Sequence, residues 1–129
     1  MSTIREDRRY SKEHEWILPL DAAGQFRVGI TDHAQDQLGD VVFVDLPEAG
    51  RELVAEEPVG AVESVKTVSD VYSPLAGRVT RVNAALTDRP ELVNSSPYDE
   101  GWIYEIEAAN PAAANELLDA GAYAELIAE

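Results

Sequence analysis

The sequence contains no cysteine. Disulfide scaffolds, thiolate metal centres and thiol catalysis are therefore excluded. Basic residues are scarce as well: ten Lys and Arg stand against 25 Asp and Glu, a formal net charge of −15. Such a chain cannot neutralise a row of phosphates, so nucleic acid is excluded as a partner. An anionic membrane surface would repel it. The only histidines are His14 and His33, and the only methionine is Met1. Two histidines without the spacing of a ligand set do not make a metal site. His14-Glu15 could serve as a base pair, but no Gly-x-Ser-x-Gly elbow and no glycine-rich phosphate loop accompany it. An independent enzyme is the weaker reading, and no catalytic residue is assigned. No apolar run approaches the length of a membrane-spanning helix. Met1 to Tyr10 is charged and lacks the apolar stretch of a signal peptide. A cytoplasmic protein is expected, and the Asn94-Ser95-Ser96 sequon is discounted on that ground.

What remains is a chain of 129 residues, enough for one domain around a single core. Its hydrophobic fraction of 45% is that of a globular protein and argues against wholesale disorder. The strong negative charge suits soluble protein partners that carry basic docking patches, because opposite fields steer encounter.

Short extended runs dominate the pattern. Trp16 to Leu20 and Phe26 to Ile30 read as strands joined through Asp21-Ala22-Ala23-Gly24, which has hairpin chemistry. Thr31 or Asp32 is suited to cap a short helix over Ala34 to Leu38, closed by Gly39. Strands follow over Val41 to Leu46, Pro58 to Val62, Val68 to Tyr72, Arg78 to Val82 and Trp102 to Glu107, with a short extended piece within Glu52 to Glu57. Leu86 to Gly101 has no clear periodicity and reads as an ordered loop or a chain of turns. Residues 1–9 are polar and expected to be flexible. Residues 111–128 form a carboxyl-terminal helical segment: Asn110-Pro111 starts it and Gly121 is expected to interrupt it. Pro47-Glu48-Ala49-Gly50-Arg51 recurs as Pro74-Leu75-Ala76-Gly77-Arg78, and superposing the copies aligns Lys66 with Gly39. The expected fold is mainly β, two small antiparallel sheets packed as a flattened barrel or sandwich, with short helices and a carboxyl-terminal helix.

Lys66 is the residue that stands out. It lies between the strands Pro58 to Val62 and Val68 to Tyr72, near the tip of a hairpin. An exposed lysine is by default a solvated charge. This one is set apart by scarcity, since the only other lysine is Lys12 and the flanking charges are Glu63 and Asp70. A Schiff-base role would need burial or a cationic neighbour to lower its pKa, and the surroundings are the opposite. A lone amine on a rigid turn is suited to be an attachment point for a modifying enzyme. Trp16 and Trp102 read as core.

Several blocks carry a resemblance. They are Tyr10-Ser11-Lys12-Glu13-His14-Glu15-Trp16, Gly29-Ile30-Thr31-Asp32-His33-Ala34-Gln35, Leu38-Gly39-Asp40-Val41-Val42-Phe43-Val44 and Glu63-Ser64-Val65-Lys66. Ser69-Asp70-Val71-Tyr72-Ser73-Pro74 and Leu92 to Trp102 continue the series. In this order they resemble the H proteins of the glycine cleavage system, from about residue 8 onward. The resemblance implies a non-catalytic lipoyl carrier, with lipoic acid amide-linked to Lys66. It implies that the carrier takes an aminomethyl group from a pyridoxal-phosphate glycine decarboxylase and presents it to a tetrahydrofolate-dependent aminomethyltransferase. Dihydrolipoamide dehydrogenase would then reoxidise the arm, and a lipoyl ligase or lipoyl transferase would install it. By the same resemblance Glu15 and Asp70 lie near an acidic groove for the arm, while Glu63 and Ser64 help the modifying enzyme recognise the hairpin. A monomer suits such shuttling.

Relatives often carry smaller residues where Thr67 and Val68 stand, and two β-branched residues there should stiffen the outgoing strand. A biotin carrier would flank its lysine with methionines, whereas Val65 and Thr67 flank Lys66. A lipoyl domain of a 2-oxoacid dehydrogenase would commonly place an aspartate before the lysine. An H-like protein acting mainly as a lipoyl relay to such dehydrogenases would need the same Lys66, and is the alternative reading.

Overall fold

The computed structural model describes residues 2–128. Among these described residues nine strands form two antiparallel sheets. In chain order they are β1 (Arg9–Tyr10), β2 (Glu15–Pro19), β3 (Gln25–Ile30), β4 (Val41–Asp45), β5 (Glu52–Leu53), β6 (Pro58–Ser64), β7 (Val68–Tyr72), β8 (Gly77–Val82) and β9 (Tyr104–Ala108). The larger sheet has the order β1-β2-β3-β9-β8-β5, and the smaller is β4-β6-β7. Inward-facing Val28, Val44, Val62, Val71, Val79, Leu86, Ile103 and Ile106 belong to one buried cluster that joins the sheets. The mainly β, two-sheet architecture expected from the strand pattern is the one observed.

Local chemistry explains the boundaries. The helix α1 (Asp32–Leu38) begins where Thr31 Oγ1 accepts a hydrogen bond from Ala34 N at 3.2 Å. It stops at Gly39, whose φ of 80° is costly for residues with a Cβ. Gly29 has a different role, because a Cβ there would lie 2.5 Å from the Trp16 ring. Trp16 is fully buried, and its indole N–H donates to Ile30 O and Pro97 O, both at 3.0 Å. Trp102 is buried too.

Residues 2–9, expected to be flexible, make defined contacts with the rest of the fold. Arg8 is buried, its guanidinium sits 4.6 Å from the Trp16 ring centre and 5.2 Å from that of Tyr98, and it donates to Tyr98 O. Thr3 N donates to Asp32 Oδ2, and Arg5 pairs with Asp99 at 3.0 Å. A polar segment reads as frayed, but aromatic faces from distant parts of the chain hold this one. Residue 1 of that span lies outside the described residues.

The carboxyl-terminal segment is helical in two pieces, a 3₁₀ helix over Pro111–Glu116 and the α-helix over Ala120–Leu126. Gly121 lies inside the second piece. The break falls at Leu117–Asp119, because Leu118 exchanges two backbone hydrogen bonds with Tyr10 and Asp119 caps the next helix through Ala122 N. Asn110 makes no side-chain cap bond. The aperiodic stretch, expected as an ordered loop or a chain of turns, contains two single helical turns, α2 (Ala85–Asp88) and α3 (Leu92–Ser95).

The internal echo has a spatial counterpart. β5 pairs β8 through Glu52↔Arg78 and Leu53↔Gly77, joining the ends of the two copies. The two turns aligned by the echo also touch, with Val65 N donating to Asp40 O at 3.1 Å.

Candidate functional site

Strands β6 and β7 pair in register as far as Glu63↔Val68, which leaves Ser64 to Thr67 as the turn and Lys66 at its tip. Ser64 organises this turn. Its backbone N–H donates to Thr67 O at 2.8 Å, and its hydroxyl accepts from Lys66 N and Thr67 N at 3.3 and 3.2 Å. Ser64 is therefore buried and its hydroxyl is engaged. The hydroxyl is thus spent on holding the shape of the turn.

Lys66 is exposed, and its stem passes over the neighbouring turn: a Cβ built on Gly39 would lie 3.7 Å from Lys66 Cε. That second turn is tied down from the aperiodic stretch. Asn94 donates to Gly39 O and Gln35 Oε1, both at 2.9 Å, and its Oδ1 accepts from Val41 N at 2.8 Å. Sequence reasoning met Asn94 as part of a sequon and of the Leu92 to Trp102 block, with no structural role attached. Nothing in the local pattern announced that its amide braces the platform under Lys66.

A groove of about 420 Å³ runs beside the hairpin. Thr67 and Val68 open it next to Lys66, Ile30, Leu38, Val62 and Val71 supply apolar wall, and Glu15, Asp70, His14 and His33 line it with polar groups. The structure thus brings Glu15 and Asp70 to one groove. Glu63 is elsewhere: in the smaller sheet it stands directly opposite Phe43 on one side and Val68 on the other. A second cavity, of about 450 Å³, lies on the opposite side of Glu15 between Ser11, Tyr72, Pro74 and Leu117, away from the hairpin tip.

The carboxyl of Glu15 is almost wholly removed from solvent, at 1% exposure. Oε1 accepts from Ser11 Oγ at 2.6 Å and Oε2 from Tyr72 N at 3.2 Å. Burial pushes its pKa up to about 8, and these two hydrogen bonds offset only part of that effect. Glu15 is therefore largely protonated near pH 7. Asp70, by contrast, is exposed.

Two further groove residues were missed. His14 and His33 are 19 positions apart in sequence, yet their rings lie 4.9 Å apart. The Glu15↔Ile30 register between β2 and β3 brings them together. His14 has a φ of 68°, and its Nδ1 lies 2.8 Å from the Tyr123 hydroxyl, which in turn lies 2.8 Å from Thr31 Oγ1. Burial, with a smaller contribution from His33, lowers the His14 pKa. Among the described residues no three His, Cys, Asp or Glu side chains cluster as metal ligands do.

The residues present fit a lipoyl group. The amine is free in solvent, the stem has a glycine beneath it, and the adjoining groove has apolar walls for an alkyl chain and dithiolane. Its polar lining suits a small cationic cargo.

Comparison with known proteins agrees with this geometry. Residues 8–129 match the family model for the glycine cleavage H-protein. The chain is 52% identical over 129 residues to a glycine cleavage system H protein of Halorhodospira halophila, covering 100% of this chain and 98% of that one. It is 58% identical over 123 residues to the corresponding protein of Symbiobacterium thermophilum, covering 95% and 94%. The crystal structure of a glycine cleavage system H protein from Mycobacterium marinum superposes with a TM-score of 0.85 at 44% identity, covering 95% of this chain and 97% of that one.

Proposed function

The chain belongs to the glycine cleavage H-protein family and is a carrier component of the glycine cleavage system; on that premise we propose that Lys66 is the lipoyl attachment point and that the Glu15–Asp70 groove receives the arm. The observation that carries this reading is the placement of Lys66, an exposed amine on a braced turn at the mouth of a groove. Glycine decarboxylase, the aminomethyltransferase and dihydrolipoamide dehydrogenase are the partners this role requires, with a lipoyl ligase or transferase acting first.

When attached, the lipoyl group supplies the dithiolane, which accepts electrons and carries a one-carbon amine. The chain's own residues position it. The Ser64 turn presents the amine, Asn94 fixes the neighbouring turn, and Thr67 and Val68 lead into the groove. Ile30, Leu38 and Val71 exclude water from its wall. At the far end Glu15 is held neutral by burial. An ammonium group entering beside it would favour the carboxylate, because opposite charges attract strongly where water is excluded. Asp70 adds a solvated negative charge at the rim. A tether also raises local concentration at each successive active site without release into bulk water.

Glycine-dependent exchange of carbon dioxide by the decarboxylase tests the reading. Lipoylated protein should stimulate it saturably, while unmodified protein should not. Turnover by this chain with no partner enzyme present would contradict a carrier role.

A further inference from the structure

Strand β4 is irregular. Val41 pairs with Ser64 and Phe43 with Glu63, so Val42 is an extra residue in a bulge. A bulge interrupts the alternation of faces. Here it turns two consecutive apolar side chains outward: Val42 is 51% exposed and Phe43 54%. The register then continues the row, because Glu63 faces Phe43 on one side and Val68 on the other. Val68 is 60% exposed, and Val65, in the Lys66 turn, is 70% exposed. The next row on the same face is Asp45, Ala61 and Asp70. Of the six large hydrophobic side chains that stand exposed among the described residues, four therefore lie on the β4-β6-β7 sheet and its Lys66 turn. Such clusters mark interaction sites, because isolated apolar exposure is common but contiguous exposure is costly.

We propose that Phe43, Val42, Val65 and Val68 form the docking face for the enzyme that acylates Lys66, with Phe43 as its anchor and Glu63 as its central charge. The inference rests on the reading of Lys66 as the lipoylated residue. Acylation is the one step in which the lysine nitrogen itself must enter a foreign active site. The amide bond forms between Nζ and the carboxyl carbon of a nucleotide-activated lipoyl group. The bond to the activating phosphate breaks and releases the nucleoside monophosphate, while two of the three ammonium protons on Nζ leave to solvent. A lysine stem has only four carbons, so the enzyme must lie against the surface from which it rises and cover these side chains. Later partners meet the end of a long arm and can keep their distance. The complementary surface is an apolar recess rimmed by Arg and Lys, facing Glu63, Asp45 and Asp70. Such a rim matches the negative field of the whole chain.

The test uses a lipoate–protein ligase with ATP and lipoate, and follows acylation of unmodified protein by intact mass. Phe43→Ser should lower kcat/KM by about tenfold to a hundredfold through KM, the range for truncating an interface anchor. Phe43→Leu should recover most of the loss. Val54→Ser, at a residue 66% exposed on another part of the surface, should change nothing. All three variants should unfold cooperatively and above the assay temperature, although Phe43→Ser loses the covered half of a ring that is 54% exposed. Wild-type protein that is never acylated would refute the lipoylation reading itself. Wild type and Phe43→Ser acylated at equal rates would leave that reading standing and overturn the docking face. Two other results would also overturn it. One is Phe43→Ser slowing only the decarboxylase reaction of already lipoylated protein; the other is its dissolving a homodimer while acylation proceeds unchanged.

Discussion

Lys66→Arg is expected to give a folded protein that is never lipoylated and supports glycine decarboxylation only at background. Arginine keeps the positive charge and most of the stem. Its guanidinium stays protonated, with a pKa above about 12, and offers no nucleophilic lone pair for acylation. The change should barely touch stability. Lys66 is exposed and forms none of the ion pairs of the described residues, and surface substitutions away from structural features stay within about 0.5 kcal/mol. Loss of activity with an unchanged melting transition therefore separates a chemical role from a structural one. The measurement is the decarboxylase exchange assay, with wild type and variant exposed to the same ligase. Residual exchange well above background in the arginine variant would place the working amine elsewhere, and Lys12 is the only other lysine.

The second large effect concerns Glu15. Burial raises its pKa from an ordinary 4.5 to about 8. Below about pH 4.5 the carboxyl is neutral in both the folded and unfolded chain. Between pH 4.5 and 8 the unfolded chain releases the proton and the folded chain keeps it, so this group's contribution to stability falls as pH rises. At about 1.4 kcal/mol per pH unit the loss reaches roughly 3–5 kcal/mol by pH 8. Glu15→Gln keeps a neutral side chain of the same shape that can still accept from Tyr72 N. The stability of the variant relative to the wild type should therefore increase steadily from pH 4.5 to 8. Urea unfolding of both proteins across that range reads the difference and cancels the titration of the other acidic groups. A difference that does not change with pH would mean that Glu15 is ionised in the fold and that its site is wetter than its 1% exposure implies.

The parts of the site that depend on local sequence were legible in it. Lys66 could be found because it is one of two lysines and sits between two β-branched runs bounded by Pro58 and Pro74. Thr31 or Asp32 and Gly39 announced the ends of a helix by their chemistry alone, and Thr31 and Gly39 serve as the caps. The features that sequence reasoning missed depend on contacts between distant segments. Arg8 looked like part of a solvated terminus, because its aromatic partners Trp16 and Tyr98 come from a strand and from the aperiodic stretch. His14 and His33 meet only through strand register, and Asn94 reaches the Lys66 platform from more than 50 positions away. Phe43 shows a different limit. Strict alternation through Val41-Val42-Phe43-Val44 puts Phe43 on the face of Val41, yet Val41 is buried and Phe43 is exposed. A one-residue bulge makes the difference, and the apolar composition of the strand gives no sign of it.

The most direct measurement is the intact mass of the protein produced with lipoate and a competent ligase, followed by peptide mapping. The account predicts a mass increase of one lipoyl group, carried entirely by the peptide that contains Lys66. A protein that stays unmodified under those conditions, or that carries the group on Lys12, would contradict it.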